Sequence, residues 1–345
     1  MKIKEIAELA NVSIGTVDRV LHNRGRVAKD KEELIRKIIK ENGYTRNIFG
    51  SRLSISKNYV FLVIMPKLEQ DSCYWEMSVR GIEKAVNELK LYKVSVRYMY
   101  YDRYSTISQK RVFEKTLDED VDGILLAPID TQVVMDFINT LSGRIPYVLF
   151  DSELPDTQAS CFIGQDSFQS GVVAAKLMSL LIKDEASSIA IVTIADDIHI
   201  KNRAAGFRSF FSGNELIYIK TFTLDRINNK NTNQFMEKVL HETPNCRGIF
   251  IPNSATHIAA EYFRSESKRD IYIIGYDLVK DNIELLNEGF IDFLISQKAD
   301  VQGFEGIYAL YKSIVLKEQV KKNRIMMPID IITRENLQYY LSSNG

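Results

Sequence analysis

The first 21 residues contain the feature that most restricts how this chain can fold: two short apolar helices separated by a polar turn. Apolar residues recur at helical spacing between Ile3 and Ala10, and the spacing resumes at Val17 after the polar break Asn11–Ser13. Ser13 is a suitable N-cap for the second helix. The pattern predicts a helix-turn-helix, although an αα-hairpin in any helical domain has the same spacing.

The next residues extend this unit to three helices and a short linker. A basic loop at 22–27 precedes Asp30–Asn42, where one apolar stripe ends at the helix-stop pair Asn42-Gly43. Tyr44 and the run from Asn47 to Leu53 then lead into a Ser/Lys/Asn linker that ends near Asn58. The third helix gives the first two an apolar surface against which to pack.

The order YxxNxxxxxL, preceded by IKEIAELANVS and TVDRVL, resembles the lac repressor–galactose repressor (LacI/GalR) family over residues 1–57. The resemblance implies sequence-specific binding to operator DNA by the second helix. It also implies a hinge helix at 47–53 that orders on DNA and inserts an apolar wedge into the minor groove. The residues expected to contact DNA are Ser13, Ile14, Gly15, Thr16, Arg19, Arg26, Asn47, Gly50 and Leu53.

Charge is distributed unevenly along the chain. Residues 1–57 hold 13 Lys/Arg against 7 Asp/Glu, which leaves 32 against 38 in the rest of the 345 residues. A basic head on an acidic body suits a polyanion-binding module joined to a part that does not itself adhere to the polyanion.

Cysteine, histidine and hydropathy patterns narrow the class further. The cysteines Cys73, Cys161 and Cys246 are widely separated and odd in number, and the four histidines lack metal-ligand spacing, so we expect no disulfide framework, metal or cofactor. The N-terminus has no apolar signal region, and no run is long enough to span a bilayer. These patterns predict a cytoplasmic protein.

From Asn58 onward, apolar strands alternate with amphipathic helices. The continuous apolar run Tyr59–Met65 is typical of a strand buried on both faces of a parallel sheet. Further strands are predicted near 94–100, 123–127, 146–150, 188–194, 216–222, 248–251, 271–274 and 292–295. Alternating βα units imply parallel sheets with right-handed crossovers, and this many strands suggests two doubly wound halves.

The alternation of strands and helices from Asn58 onward resembles the periplasmic sugar-binding-protein fold, and its pattern is closest to that of ribose-binding proteins. The resemblance implies two lobes joined by three chain crossings, near Asp151, after Gln297 and around Pro328–Ile331. We therefore expect an α/β protein with a three-helix head and hinge helix at 1–57 and a ligand-sensing and dimerisation domain at 58–345. In that domain, lobe 1 would comprise about 58–150 and 299–327, and lobe 2 about 152–297 and 330–345.

Candidate ligand-binding residues follow the predicted strands, because open α/β sheets bind ligands beyond the carboxyl ends of their strands. Carboxylates and amides there can bond vicinal hydroxyls, and an aromatic ring can stack on the apolar face of a sugar. By this rule and by the resemblance, the predicted contacts are Tyr74, Trp75, Asp130, Lys201, Asn253, Asp277 and Gln297.

Several of these residues have a second interpretation. Trp75 could belong to the core, Asp166 is better explained as a helix cap than as a ligand contact, and Arg203 could brace a loop as well as touch ligand. Lys201 stands where ribose-type sites carry arginine, and a point charge does not replace a bidentate fork.

The leading functional hypothesis is a homodimeric transcriptional regulator, with operator DNA and a small-molecule effector, a sugar or sugar derivative, as partners. The alternative is a solute-binding protein for sugar uptake, against which the basic head and the missing signal region argue. An enzyme is disfavoured because the chain lacks a Gly-x-Ser-x-Gly motif, a phosphate loop and HExxH.

Overall fold

A computed structural model describes residues 3–21, 27–41, 57–129, 131–141, 143–183, 186–225, 231–318 and 323–342. The chain divides into two compact units, Met1–Lys57 and Asn58–Gly345. The hinge helix predicted at 47–53 lies outside the described residues.

The first unit, the head, contains three helices around one small core. They are α1 (Ile3–Leu9), α2 (Ile14–Leu21) and α3 (Lys29–Glu41). The core is built from the apolar positions at helical spacing, namely Ile6, Ala7, Ala10, Val17, Val20, Ile35 and Ile38. The Ser13 hydroxyl accepts a hydrogen bond from the Thr16 amide at 3.2 Å, so the N-cap predicted for the second helix is confirmed.

Two six-stranded sheets form the second unit, and each defines one lobe. Lobe 1 contains β1 (Tyr59–Pro66), β2 (Val94–Tyr101), β3 (Gly123–Leu126), β4 (Tyr147–Phe150), β5 (Cys161–Gly164) and β11 (Arg324–Met326). Their spatial order is β11-β5-β4-β3-β1-β2, with all neighbours parallel. Val63 at the centre of β1 lies opposite Tyr98 and Leu125, which sets the register of the sheet.

Lobe 2 repeats this winding with one difference at its edge. Its strands are β6 (Ser187–Thr193), β7 (Ile217–Thr223), β8 (Cys246–Phe250), β9 (Tyr272–Tyr276), β10 (Phe293–Ser296) and β12 (Asp330–Ile332). They lie in the order β12-β10-β9-β8-β6-β7, and β12 pairs antiparallel with β10 while the other neighbours are parallel. In each sheet the order reverses beside the first strand, which is where such folds bind ligands.

Helices connect and cover the strands of the second unit. They are α4 (Tyr74–Leu89), α5 (Thr106–Thr116), α6 (Thr131–Leu141), α7 (Ser167–Ile182), α8 (Ile198–Phe210), α9 (Thr232–His241), α10 (His257–Ser265), α11 (Lys280–Glu288), α12 (Ala299–Leu310) and α13 (Leu337–Ser342). Asp166 caps α7 by accepting a hydrogen bond from the Gln169 amide at 2.9 Å, which confirms the capping interpretation.

The position predicted for the first crossing, near Asp151, is wrong. Strand β5 pairs in parallel with β4, with Phe162 opposite Leu149, so the chain leaves lobe 1 only after Gly164. The strand carries only three consecutive apolar residues, Cys161–Ile163, between Ser160 and Gly164, a weaker signal than the longer apolar run at β4. Strands β11 and β12, with three residues each, were not predicted either.

The three crossings meet at the side chain of Gln165, which directly follows β5. Its Nε2 atom donates to the Ser296 carbonyl at the end of β10, at 3.0 Å, and to the Pro328 carbonyl between β11 and β12, at 2.8 Å. Gln165 is buried. One amide group therefore joins all three connections on which the lobes can turn.

Helices α7 and α8 pack closely because glycine lies at their contact. A Cβ atom added at Gly171 would lie 2.0 Å from the carbonyl oxygen of Arg203, and one added at Gly206 would lie 2.0 Å from that of Phe168. This close approach sets the position of α8, and with it the position of Arg203.

Gly171→Ala should therefore push α8 away and lower the free energy of unfolding by about 1–3 kcal/mol, since overpacking at a backbone contact cannot be relieved by a rotamer change. Chemical denaturation of the purified protein measures the effect. The exposed Gln169→Ala on the same helix is the control and should change stability by less than about 0.5 kcal/mol. Equal stability of the two variants would contradict this account.

Candidate ligand site and DNA-binding head

A small cavity of about 20 Å³ lies between the two lobes. Its lining residues follow strands of both sheets: Asp71, Tyr74, Trp75, Arg103 and Asp151 in lobe 1, and His199, Ile200, Arg203, Asn253, Ser254, Asp277 and Gln297 in lobe 2. This volume is about the space of one water molecule, so the lobes have to separate before a sugar-sized ligand can enter.

Aromatic rings and carboxylates alternate on the lobe 1 side. The Tyr74 hydroxyl donates to Asp151 Oδ1 at 2.7 Å, and the Trp75 indole Nε1 donates to Asp71 Oδ2 at 2.8 Å. The Trp75 ring also packs edge-on against Phe150, with 6.1 Å between centroids. Trp75 is therefore buried and also lines the cavity, so its core position and its cavity position are compatible.

On the lobe 2 side, Arg203 braces the site and faces it. Its Nη1 donates to the Pro252 carbonyl at 2.9 Å, its Nη2 donates to Gln297 Oε1, and its guanidinium lies 4.1 Å from the Tyr276 ring centroid. Gln297 in turn donates to Asp277 Oδ2 at 2.8 Å. The orientation of Asp277 therefore depends on a chain of contacts that begins at Arg203.

Backbone strain is concentrated at the carboxylates of the cavity. Asp71, Asp151 and Asp277 have φ angles of 53°, 69° and 68°, in the left-handed region that non-glycine residues seldom adopt. The Asp277 carbonyl accepts from the Asn282 side chain at 3.0 Å, and the Asp151 amide donates to Gln302 at 2.9 Å. Strained residues held in place by buried side chains are typical of binding sites.

Three buried polar atoms of the lining lack a hydrogen-bond partner among the described residues. They are Asp71 Oδ1, Arg203 Nε and Asn253 Nδ2. The first is an acceptor and the other two are donors. Because an unsatisfied buried polar group is costly, the site is suited to a ligand that both donates and accepts hydrogen bonds, as a polyol does.

Burial changes the protonation of the cavity. It raises the pKa of Asp151 to about 6 and that of Asp277 to about 7, although the nearby Arg203 charge acts in the opposite direction on both. Burial also holds the pKa of His199 well below its ordinary value, and the charges of Arg203 and Arg103 add to this effect. His199 is therefore neutral at pH 7.

Direct contacts join the two lobes around the cavity. Arg103 of lobe 1 pairs with Asp71 of its own lobe and with Asp197, the residue before α8 in lobe 2. The Ser254 hydroxyl donates to the Asp71 carbonyl at 2.7 Å, and the Ser152 hydroxyl contacts His199 Nδ1. The structure thus has its lobes in contact across the cleft.

The structure brings together five of the residues predicted to bind ligand, namely Tyr74, Trp75, Asn253, Asp277 and Gln297. Asp130 lies outside the described residues. Lys201 does not line the cavity: its ammonium lies 3.0 Å from Asp196 Oδ2, and its side chain is 58% exposed. Helix α8 begins at Ile198, so Lys201 and Arg203 are about 200° apart around the helix and only Arg203 faces inward.

The sequence-based prediction omitted Asp71, Arg103, Asp151, His199 and Ser254, all of which line the cavity. Arg103 lies two residues after β2, so the strand-end rule could have identified it, and Asp151 directly follows β4 and satisfies the same rule. From the sequence, Asp151 is a strand-end residue as well as the expected first crossing, but it is not among the predicted contacts. His199 and Ser254 had no comparable signal.

The head presents α2 as a helix with one buried and one open side. Val17 and Val20 are buried in the core, whereas Ser13, Ile14, Gly15 and Arg19 are exposed and Thr16 is half-buried. This is the polarity that docking in the major groove requires. The other residues expected to contact DNA, Arg26, Asn47, Gly50 and Leu53, lie outside the described residues.

Two further properties hold for the described part of the chain. It contains no group of three His, Cys, Asp or Glu side chains placed to hold a metal ion. None of its helices combines the length and the hydropathy that crossing a membrane would require.

The raised pKa of Asp277 predicts how stability depends on pH. The folded protein keeps this proton up to about pH 7, whereas the unfolded chain releases it near pH 4, so the free energy of unfolding falls as pH rises between these values. Asp277→Asn should remove this loss and stabilise the ligand-free protein by about 1–3 kcal/mol at pH 8, with a smaller gain at pH 4.5. Calorimetric melting at both pH values measures it. The exposed Asp196→Asn is the control, and a gain independent of pH would contradict the assignment.

Comparison with known proteins supports both units of the fold. Residues 62–318 match the family described as periplasmic binding protein domain, and residues 2–47 match bacterial regulatory proteins, lacI family. A crystal structure solved as a candidate LacI transcriptional regulator from Bacteroides fragilis is 30% identical, with a TM-score of 0.78 over 82% of this chain and 100% of that chain.

Two curated relatives carry regulator names. The NTD biosynthesis operon regulator NtdR of Bacillus subtilis is 30% identical over 167 residues, so the match spans about half of each protein, 48% in both cases. The ribose operon repressor of Lactococcus lactis is 24% identical over 97% of this chain and 98% of that protein. The chain belongs to the LacI family of bacterial regulatory proteins and joins that family's helix-turn-helix head to a periplasmic binding protein domain.

Proposed function

We propose that this protein is a cytoplasmic transcriptional regulator that binds operator DNA through α2 and changes its DNA affinity when a sugar or sugar derivative binds in the cavity. The observation that carries the proposal is the composition of the cavity wall, to which both lobes contribute polar groups. A ligand bonded to both lobes favours one closure angle over the others. The ribose operon repressor is similar to this chain over nearly its whole length, and its name refers to a sugar, which supports a sugar as the ligand.

Binding, and not catalysis, accounts for the site in this proposal. The named relatives are regulators and repressors, and the unsatisfied groups of the cavity suit the hydroxyls of a polyol. Two heads of a homodimer would grip the halves of a pseudo-palindromic operator. The hinge at 47–53 would then order on the specific sequence and insert Leu53 into the minor groove.

Arg19 provides a test of the DNA-binding half of the proposal. Operator fragments selected with the purified full-length protein would be titrated at several salt concentrations. Arg19→Ala should weaken binding about 10-fold and lower the salt slope by about one, because one cationic contact is lost. Arg36→Ala is the matched control, since Arg36 lies in the same head but on α3, where it pairs with Glu32. An unchanged affinity for Arg19→Ala would refute docking through α2.

Asp277 and Lys201 provide a test of the sensing half. A thermal-shift screen over aldopentoses, aldohexoses and their amino and acidic derivatives identifies a stabilising sugar, because a ligand well above its dissociation constant stabilises the folded state by a few kcal/mol. That sugar should then change operator affinity about 5- to 150-fold in the wild-type protein.

Asp277→Ala should abolish this response and leave ligand-free DNA binding nearly intact, because Asp277 lines the cavity and is not part of the head. Lys201→Ala should retain the response, because Lys201 pairs with Asp196 outside the cavity. The opposite pattern, with Lys201 essential and Asp277 dispensable, would refute the cavity described above as the ligand site.

A further inference from the structure

The cavity contains more carboxylates than cations. Four aspartates and two arginines line it or pair with its lining, namely Asp71, Asp151, Asp197, Asp277, Arg103 and Arg203. His199 adds no positive charge, since burial keeps its imidazole neutral. With all four carboxylates ionised, the site has a formal charge of −2, which is expensive to maintain away from water.

Both arginines are already committed to contacts within the protein. Arg103 lies between Asp71 and Asp197, so its charge is shared by two carboxylates. Arg203 directs its Nη atoms to Pro252 and Gln297. Within the described residues, neither Asp151 nor Asp277 forms an ion pair with a lysine or arginine; the nearest basic atom to Asp151 is Nδ1 of the neutral His199, at 3.9 Å. The Arg203 charge acts on both carboxylates, but in the described part of the chain neither of them has a cationic group in direct contact.

Asp151 and Asp277 belong to opposite lobes and act on each other electrostatically. After burial itself, repulsion from Asp151 is among the causes that raise the pKa of Asp277. Closing the cleft brings the two carboxylates into one buried space, and their repulsion opposes closure. A positive charge between them would favour closure.

The surroundings of Cys73, just before Tyr74, are acidic as well. Burial raises the pKa of the Cys73 thiol, and the charges of Glu76, Asp281 and Glu69 raise it further. Asp281 belongs to lobe 2 and the two glutamates belong to lobe 1, so acidic groups of both lobes meet here. Sugar phosphates and sugar acids would be repelled both here and in the cavity.

We propose that the effector is an aminated sugar whose ammonium group lies between Asp151 and Asp277. The proposal rests on the proposed function, since it specifies the ligand of the same cavity. The hydroxyls of this sugar would meet the remaining unsatisfied atoms, Asp71 Oδ1, Arg203 Nε and Asn253 Nδ2. The ring would lie against Tyr74 and Trp75. The amine then supplies a cation in direct contact with both carboxylates and connects the lobes by charge.

Matched pairs of sugars test the proposal directly. Isothermal titration of the full-length protein at pH 7.5 would compare D-glucose with its 2-, 3- and 6-amino derivatives, D-galactose with D-galactosamine, and D-mannose with D-mannosamine. N-acetyl-D-glucosamine and D-glucuronate serve as neutral and acidic controls. At least one amine should bind about 100-fold tighter than its parent sugar, as expected for a buried charge pair.

Variants locate the charge that causes the preference. Asp151→Asn and Asp277→Asn should each reduce the preference for the amine about 10-fold or more, while the parent sugar changes little. Asp196→Asn removes an exposed carboxylate of the same lobe and should leave the preference intact. Circular dichroism of each variant verifies that it is folded.

Several results would overturn the inference. These are a parent sugar that binds as tightly as every amine, a preference that survives in both cavity variants, an equal loss in Asp196→Asn, or no binding by any amine. The proposed function is tested separately, because a neutral sugar that binds and alters operator affinity would support regulation while refuting the amine.

Discussion

Where the two lobes of the second unit meet, the buried guanidinium of Arg103 lies between two carboxylates. Arg103 comes from lobe 1, and its partners Asp71 and Asp197 come from lobe 1 and lobe 2 respectively. Burial opposes the Arg103 charge, but the two aspartates outweigh it and raise its pKa. Removing one member of such a group leaves an uncompensated buried charge, at a cost of about 3–5 kcal/mol. The contact between the lobes, and therefore the shape of the cavity, depends on this arrangement.

The groups that face the cavity are held by a second set of buried side chains. Asn282 donates to the carbonyls of Ser254, Tyr276 and Asp277, and so fixes the ends of two strands relative to each other. Gln302 connects the Asp151 amide with the Gln297 carbonyl, and thereby joins a lobe 1 carboxylate to the second crossing. Because these contacts are satisfied, the left-handed conformations of Asp151 and Asp277 are stable within each lobe. The three crossings that meet at Gln165 are the chain connections between the lobes.

This division between rigid lobes and a small hinge explains how a ligand could act at a distance. Because each lobe contributes part of the cavity wall, a bound ligand changes the angle between the lobes and does not need to distort either lobe. The charges have different roles in this scheme: Arg103 favours the closed cleft without any ligand, whereas Asp151 and Asp277 repel each other within it. The balance between these two effects leaves room for a ligand to decide the closure equilibrium.

The sequence alone determined the three helices of the head, the Ser13 cap and nine of the strands, since each has a period or a capping residue that local physics can identify. It also identified five cavity residues, which lie at the start of a helix or within three residues of the end of a strand. Tertiary structure decided the rest. Strand β5 offers only a short apolar run, Cys161–Ile163, and its pairing with β4 moved the first crossing beyond Gly164. The start of α8 turned Arg203 inward and Lys201 outward, a choice set by the close contact at Gly171. The roles of Asp71, Arg103 and Asp151 depend on a second lobe that comes later in the chain, and no local pattern encodes a contact that only lobe closure creates.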